Sequence, residues 1–296
     1  MAPHYDLSLG VLQIGALIST LLYGVMNMQA YTYYTTDVQG CRRVRALATL
    51  VWFLETLHVV VSWIYLYSIT VIHYGQPAYL TIIPWSLSSA VVIGGAVATV
   101  AQAFFTYRLW RLSHSVHLAI IGWTLALIHF AAIVTAGVTA MNSAHLGAFM
   151  DKYMWIALVA ISDSLLLDVF NTIGLCYYLN AQQSGFDSPS PMLDKIIAWT
   201  LETSLITSVV CSVMLISCAA MPRGALWIAV DMFYAKIFSN SLFASLNAGR
   251  RFSLSLANQR PDFRQAVQQP RLVMFQDGSK VSVVSESKHS MNNSSA

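Results

Sequence analysis

The chain has 296 residues, is 56% hydrophobic and only 10% charged, and has a mean hydropathy of +0.59. Soluble domains carry about 25% charged residues, so a soluble globular fold is excluded, and the length suits one helical bundle with a tail rather than two large domains. The formal net charge of +3 says little in itself, and no nucleic-acid partner is expected.

Seven apolar runs fill the chain from about Leu7 to Leu246. The hydrocarbon core of a bilayer takes about 20 apolar residues in helical form. Every backbone polar group inside it must bond within its own segment, so such runs are helices. The expected fold is all-α, a seven-transmembrane-helix bundle in the lipid bilayer. Its spans are Leu7–Tyr34, Ala46–Ile72, Trp85–Tyr107, Val116–Met141, Tyr153–Leu179, Leu193–Ala219 and Ala225–Leu246. This divides the chain into a short external N-terminus (1–6), a membrane domain (7–249) and a tail (250–296).

The first span has no Lys or Arg before it and exceeds the length of a leader's apolar region, so it does not read as a cleavable signal. Span two carries Glu55 and His58, three apart and so on one face, with Ser62 above them. Span three holds no acidic residue. Span four has His129 near its middle. Span five carries Asp163 and Asp168, with Ser164, Asp168, Asn171 and Thr172 on one stripe. Span six has Glu202 and a row of Ser204, Ser208 and Ser212 at four-residue steps, which reads as a small-residue packing seam. Span seven has Asp231 near one end and Lys236 at mid-depth, with Asn240 and Asn247 continuing the Lys236 stripe.

Positive charge sets the orientation. Arg42, Arg43 and Arg45 follow span one, Arg108 and Arg111 follow span three, Lys195 opens span six, and Arg250 and Arg251 follow span seven. The opposite side has Lys152 and Arg223. Positive loops stay cytoplasmic, which puts the N-terminus outside and the C-terminus inside. All eight prolines lie outside the spans or at their edges, so straight helices are expected. Tyr31, Tyr33, Tyr34, Tyr65, Tyr67, Trp85, Tyr107, Trp110, Tyr153, Trp155, Tyr177 and Tyr178 sit at span ends and suit the interfacial belt. Cys41, Cys176, Cys211 and Cys218 follow no metal or disulfide spacing and read as packing residues.

From Phe252 to Ala296 the chain is polar and rich in Ser, Gln and Asn, too poor in apolar surface to order, and reads as disordered. Arg250-Arg251-Phe252-Ser253 has a basophilic kinase pattern with Ser253 as phosphosite; a phosphate there would weaken attraction to anionic lipids. Asn292 and Asn293 lie in glycosylation sequons, but on the side expected to be cytoplasmic.

Glu55, His58, His129, Asp163, Asp168, Glu202, Lys236 and Asn240 form a candidate interior polar network or ligand site, because ionisable groups at membrane depth usually face the bundle interior. Five carboxylates (Asp231 being the fifth) against one lysine cannot all be ionised and dry. A partner for Lys236 is expected in Glu55 or Asp168, with His58 in the same network. Three sharper readings compete. A retinal protein would use Lys236, but span three lacks a counter-ion, and Asp231 sits about 140° around the helix from it. A di-iron site would need Glu-x-x-His twice, and it occurs once, at Glu55-Thr56-Leu57-His58. Carboxylate acid/base chemistry on a terpenoid-like lipid would use Asp168 or Glu55.

Several segments match one known group. They are Leu22-Tyr23-Gly24-Val25, Leu54-Glu55-Thr56-Leu57-His58, Ile83-Pro84-Trp85-Ser86, Arg108-Leu109-Trp110-Arg111-Leu112-Ser113, Cys176-Tyr177-Tyr178-Leu179, Ser184-Gly185-Phe186 and Asn240-Ser241-Leu242-Phe243-Ala244-Ser245-Leu246-Asn247-Ala248. In these the chain resembles basidiomycete membrane proteins with domain of unknown function 6534. The resemblance spans about Leu9–Arg251, with the named domain at about 165–252. It implies a fungal seven-helix membrane protein and carries no activity, ligand or catalytic residue.

The features of G-protein-coupled receptors are missing. No cysteine lies in an expected external loop, no Asp-Arg-Tyr follows span three, and no Asn-Pro-x-x-Tyr occurs in span seven. Transport is disfavoured by the lack of a repeat. The leading expectation is a receptor-like or sensory protein of the plasma membrane that binds a small, mostly apolar molecule. An internal membrane and a homo-oligomer are compatible with it. A scaffold without ligand is the first alternative, and the acid/base enzyme the second. No catalytic residue, cofactor or metal is expected.

Overall fold

The computed structural model describes residues 2–36, 42–143, 145–183 and 191–259. Cys41, Ser184-Gly185-Phe186, Pro189, and the chain from residue 260 with Asn292 and Asn293 lie outside the described residues, as does the side chain of Ser253. Among the described residues the regular structure is helical: α1 (Ala2–Thr35), α2 (Arg42–Tyr67), α3 (Trp85–Ser113), α4 (Val116–Met141), α5 (Leu146–Gln183), α6 (Pro191–Ala220) and α7 (Leu226–Gln259). The first six are long and apolar enough to cross a membrane. The last, α7, carries Asp231, Lys236, Asn240 and Asn247 and is the least apolar of the seven. Its place in the bundle explains this, since it packs against α1, α2, α3 and α6.

Most helices outrun the apolar runs that reveal them. Helix α5 begins seven residues before Tyr153, and α7 continues to Gln259 rather than ending before Arg250. A helix leaving the hydrocarbon keeps its own hydrogen bonds, so polarity marks the bilayer edge and not the helix end. Proline still marks starts: Pro84 is the extended cap of α3, and Pro191 opens α6, where a missing N–H costs nothing. His114 closes α3 in the left-handed conformation, with its N–H bonded to Trp110 O. Between α2 and α3 lie a π-helical turn, Ser68–Ile72, and a 3-10 turn, Pro77–Thr81.

The helices pack in chain order around a ring, and α3 runs through it, touching α2, α4, α5 and α7. The ring closes on α1 and α7, its most extensive contact. These two helices run parallel, and α7 donates side-chain bonds to α1 carbonyls along the seam. Asn240 Nδ2 donates to Leu22 O at 3.1 Å and Asn247 Nδ2 to Gln29 O at 2.9 Å. Ser19 Oγ returns a bond to Met232 O at 2.8 Å. The two asparagines are seven apart and so are their acceptors, which is the two-turn repeat of helices in register.

The close approach sits at Gly15. A Cβ there would lie 2.5 Å from Ala229 O and 3.0 Å from Ala229 Cα. A small-residue contact against backbone therefore lies at α1/α7, while the α6 serine row divides its roles. Ser208 bonds Asp168, Ser212 bonds its own helix at Ser208 O, and Ser204 lines a cavity.

The aromatic belt also needs correction. Tyr31, Tyr67, Trp85, Trp155 and Tyr177 are exposed, as an interfacial ring requires, but Tyr33 and Tyr65 are buried. Arg250 explains Tyr33. Its guanidinium lies 3.9 Å from the Tyr33 ring centroid, and Nη1 donates to Tyr33 O and, at 3.2 Å, to Thr36 O. A cation at a helix C-terminus and a cation over a ring are each favourable. Arg250 is therefore a clamp on the end of α1. Changing Arg250 to Gln should cost about 1–2 kcal/mol in the thermal stability of the detergent-solubilised protein. The same change at exposed Arg251 should stay within about 0.5 kcal/mol.

Candidate functional site

Two polar clusters occupy the bundle interior. The first lies between α2 and α7. Lys236 and Glu55 have no exposed side-chain surface, and Lys236 Nζ is 2.5 Å from Glu55 Oε2. His58, one turn from Glu55, presents Nδ1 to the same ammonium. With Lys236 donating there, the imidazole proton sits on Nε2. That nitrogen faces Gly94 of α3, where an added Cβ would stand only 3.1 Å away. Glycine at this point is what lets the imidazole lie between α2 and α3. Ser62 donates to His58 O at 2.8 Å and adds a second bond within α2. Glu55 Oε1 is buried with no hydrogen-bond partner among the described residues. Removing one member of a buried pair of this kind leaves an uncompensated charge.

The second cluster joins α3, α5, α6 and α7. Asp168 accepts from Thr207 Oγ1 and, at 3.1 Å, from Ser208 Oγ. Gln102 of α3 donates through Nε2 to Ser164 O at 3.0 Å and Ser164 Oγ at 2.9 Å. Ser164 Oγ and Tyr234 Oη of α7 share a bond of 2.9 Å. One turn on, Thr106 donates to Asn171 Oδ1 at 3.0 Å, and Asn171 Nδ2 donates back to Gln102 O at 3.3 Å. So α3 and α5 are tied in both directions. Beside this cluster, between α3, α5, α6 and α7, lies a cavity of about 30 Å³, room for on the order of two waters. Asp168, Thr207, Arg108 and Ser245 give it polar sides, and Phe105 and Phe238 give it apolar ones. Arg108 Nη1 donates to Ser245 Oγ at 2.6 Å.

The structure sorts the eight interior residues expected from sequence. Glu55, His58 and Lys236 are brought together, and Asn240 Nδ2 reaches the Lys236 carbonyl at 2.7 Å. Asp168 is not part of that group; its partners are the α6 hydroxyls. His129 stands apart on α4, its Nδ1 3.0 Å from Ala160 O of α5. Asp163 is half-buried, and its Oδ2 has no hydrogen-bond partner among the described residues. Glu202 is exposed. Of the two acids suited to acid/base chemistry, Asp168 lines this cavity, while Glu55 is fully buried against Lys236.

Four participants fall outside the interior residues expected from sequence: Gly94, Gln102, Thr207 and Tyr234. Gln102 had a usable signal, being the lone amide in an apolar span. Gly94 had none, because its role appears only once the His58 ring is in place.

A family model described as a family of unknown function, DUF6534, matches residues 164–251. The match takes in Asp168, Thr207 and Lys236 but stops short of Glu55, His58 and Gln102. No curated protein and no solved structure matches the chain.

Proposed function

We propose that the chain is a receptor-like, seven-span integral membrane protein, N-terminus outside, that takes a small, mostly apolar molecule with one polar end into the cavity beside Asp168. The observation that carries the ligand is the make-up of that cavity: hydroxyls, a carboxylate and a guanidinium on one part of the wall, Phe105 and Phe238 on another. Sites for small molecules are mostly apolar with a few placed polar groups. At its present volume the cavity suits water, so a ligand enters by parting the two phenylalanines. The buried pair on α2 and α7 supplies a second element of this reading. Buried ion pairs add little net stability, and their best-attested use is to select one arrangement over another.

Orientation rests on charge. Arg45 and Arg250 flank the α1–α2 end, at Tyr34 and Tyr33 respectively, while Arg223 pairs with Asp151 at 3.3 Å at the opposite end. Tags fused at Met1 and Ala296 should be cleaved by protease from opposite sides of sealed vesicles. Cleavage of both from one side would end the seven-span reading.

The ligand reading is tested by incubating the purified protein with a lipid extract and identifying retained molecules by mass spectrometry. A small apolar compound retained by the native protein should be lost in Ala244→Phe, which fills the cavity, and weakened in Asp168→Asn. Equal retention by all three forms would place any binding elsewhere.

A further inference from the structure

A second concavity lies on the outer flank of the bundle and has no part in the reading above. It is a groove of about 490 Å³ between α2, its π-helical end and the start of α3, within the range of small-molecule sites. Val60 and Ile72 mark its ends along α2, so at 1.5 Å per residue it runs about 18 Å. Half of a hydrocarbon core is about 15 Å. The groove therefore has the length of one leaflet.

Its walls are exposed rings and branched side chains: Trp63, Trp85 and Ile64. Its polar groups gather near the α3 start. Ser86 is only 2% exposed and lines the groove. Tyr79 Oη accepts from Ser68 Oγ at 3.3 Å, which leaves the phenol proton without an acceptor among the described residues. Tyr79 is held in place by His73, stacked on it at 3.5 Å between ring centroids. The π-helical turn Ser68–Ile72 brings Ser68 into this group, and such turns recur at functional sites. Among the described residues no charged side chain lines the groove.

We propose that this groove binds a sterol, its single hydroxyl accepting from Tyr79 and donating to Ser86, its rings against Trp63, Trp85 and Ile64. The chemistry selects the occupant. A phosphate head group or a fatty acid carboxylate would call for a basic side chain, and the groove has none. The Tyr79 phenol proton and the Ser86 hydroxyl, side by side in an otherwise apolar wall, match one alcohol. A rigid ring system also loses less conformational freedom on docking than an acyl chain does. The proposal rests on the membrane reading but not on the ligand beside Asp168.

The test uses the full-length protein in phosphatidylcholine vesicles with a photoreactive, ring-diazirine cholesterol probe. Labelled peptides should fall in α2 and the start of α3, and excess cholesterol should suppress them. The 3α-hydroxy epimer should compete about fivefold less well, the worth of one hydrogen bond, and Ser86→Val should abolish that difference. Ile64→Trp, which fills the groove, should bring labelling to background while the protein stays monodisperse. Should that variant not fold, Trp85→Ala, at a mostly exposed ring, should also lower labelling. Labelling spread evenly over the helices, equal competition by both epimers or by long-chain alcohol, or native labelling in the folded variants would overturn the proposal. Release of the protein from membranes by alkaline carbonate would fail the membrane reading instead, and is scored separately.

Discussion

Replacing Lys236 with Met and Glu55 with Gln together should give a protein more stable than either single variant. Each single change leaves its former partner alone at the bundle centre, where no water reaches it. Breaking a buried pair from one side typically costs about 3–5 kcal/mol, while exchanging both partners for neutral groups of similar volume is close to neutral. His58 sharpens the asymmetry. With Lys236 gone its Nδ1 also loses a donor, so Lys236→Met should cost more than Glu55→Gln. The measurement is a double-mutant cycle on unfolding in a fixed detergent. The coupling between Lys236 and Glu55 should exceed about 1 kcal/mol, and a parallel cycle with Asp168→Asn should be additive within about 0.5 kcal/mol. Coupling to Asp168, or none to Glu55, would contradict the arrangement.

The second large effect is expected at Gly15. Its missing side chain faces backbone atoms of Ala229, and no rotamer change can move a carbonyl aside. Gly15→Ala must push α1 away from α7, stretching the bonds at Ser19 and Asn240 further along the seam. Overpacking of this kind costs about 1–3 kcal/mol. Gly10, on the same helix, faces open space, and its change to Ala should stay within about 0.5 kcal/mol. Adding Ala229→Gly should not rescue Gly15→Ala, because the obstructing oxygen remains. Full rescue would mean that the contact is between side chains and that the helices stand further apart than described.

How much of this was legible in the sequence depends on the kind of information each feature needs. Helix α4 runs from Val116 to Met141 both in the apolar pattern and in the structure, because its polar flanks are also its ends. Helices α5 and α7 outrun their patterns, since nothing in Asp151-Lys152 or in Arg250-Arg251 breaks a helix. Counting residues from span ends gave a shortlist of partners for Lys236. Choosing Glu55 over Asp168 required the rotation of α2 and α5 about their axes, which depends on packing by α3. Tyr33 and Tyr65 looked interfacial by position, and only the facing helices decide that they are buried. The Asn240/Asn247 pair was visible as a stripe, but its acceptors are main-chain oxygens on α1, and every residue type supplies those.

The register of α1 against α7 bears on how the protein is made. Partners across that seam are 213 to 218 residues apart in the chain. At a ribosomal speed of about 5–20 residues per second, roughly 10–40 s pass between synthesis of the first helix and arrival of the last. Throughout that interval α1 has only α2 beside it in sequence, and the strip of Gly15, Ser19 and Leu22 stays uncovered. Any chain that stops before Leu226 keeps this strip open for good.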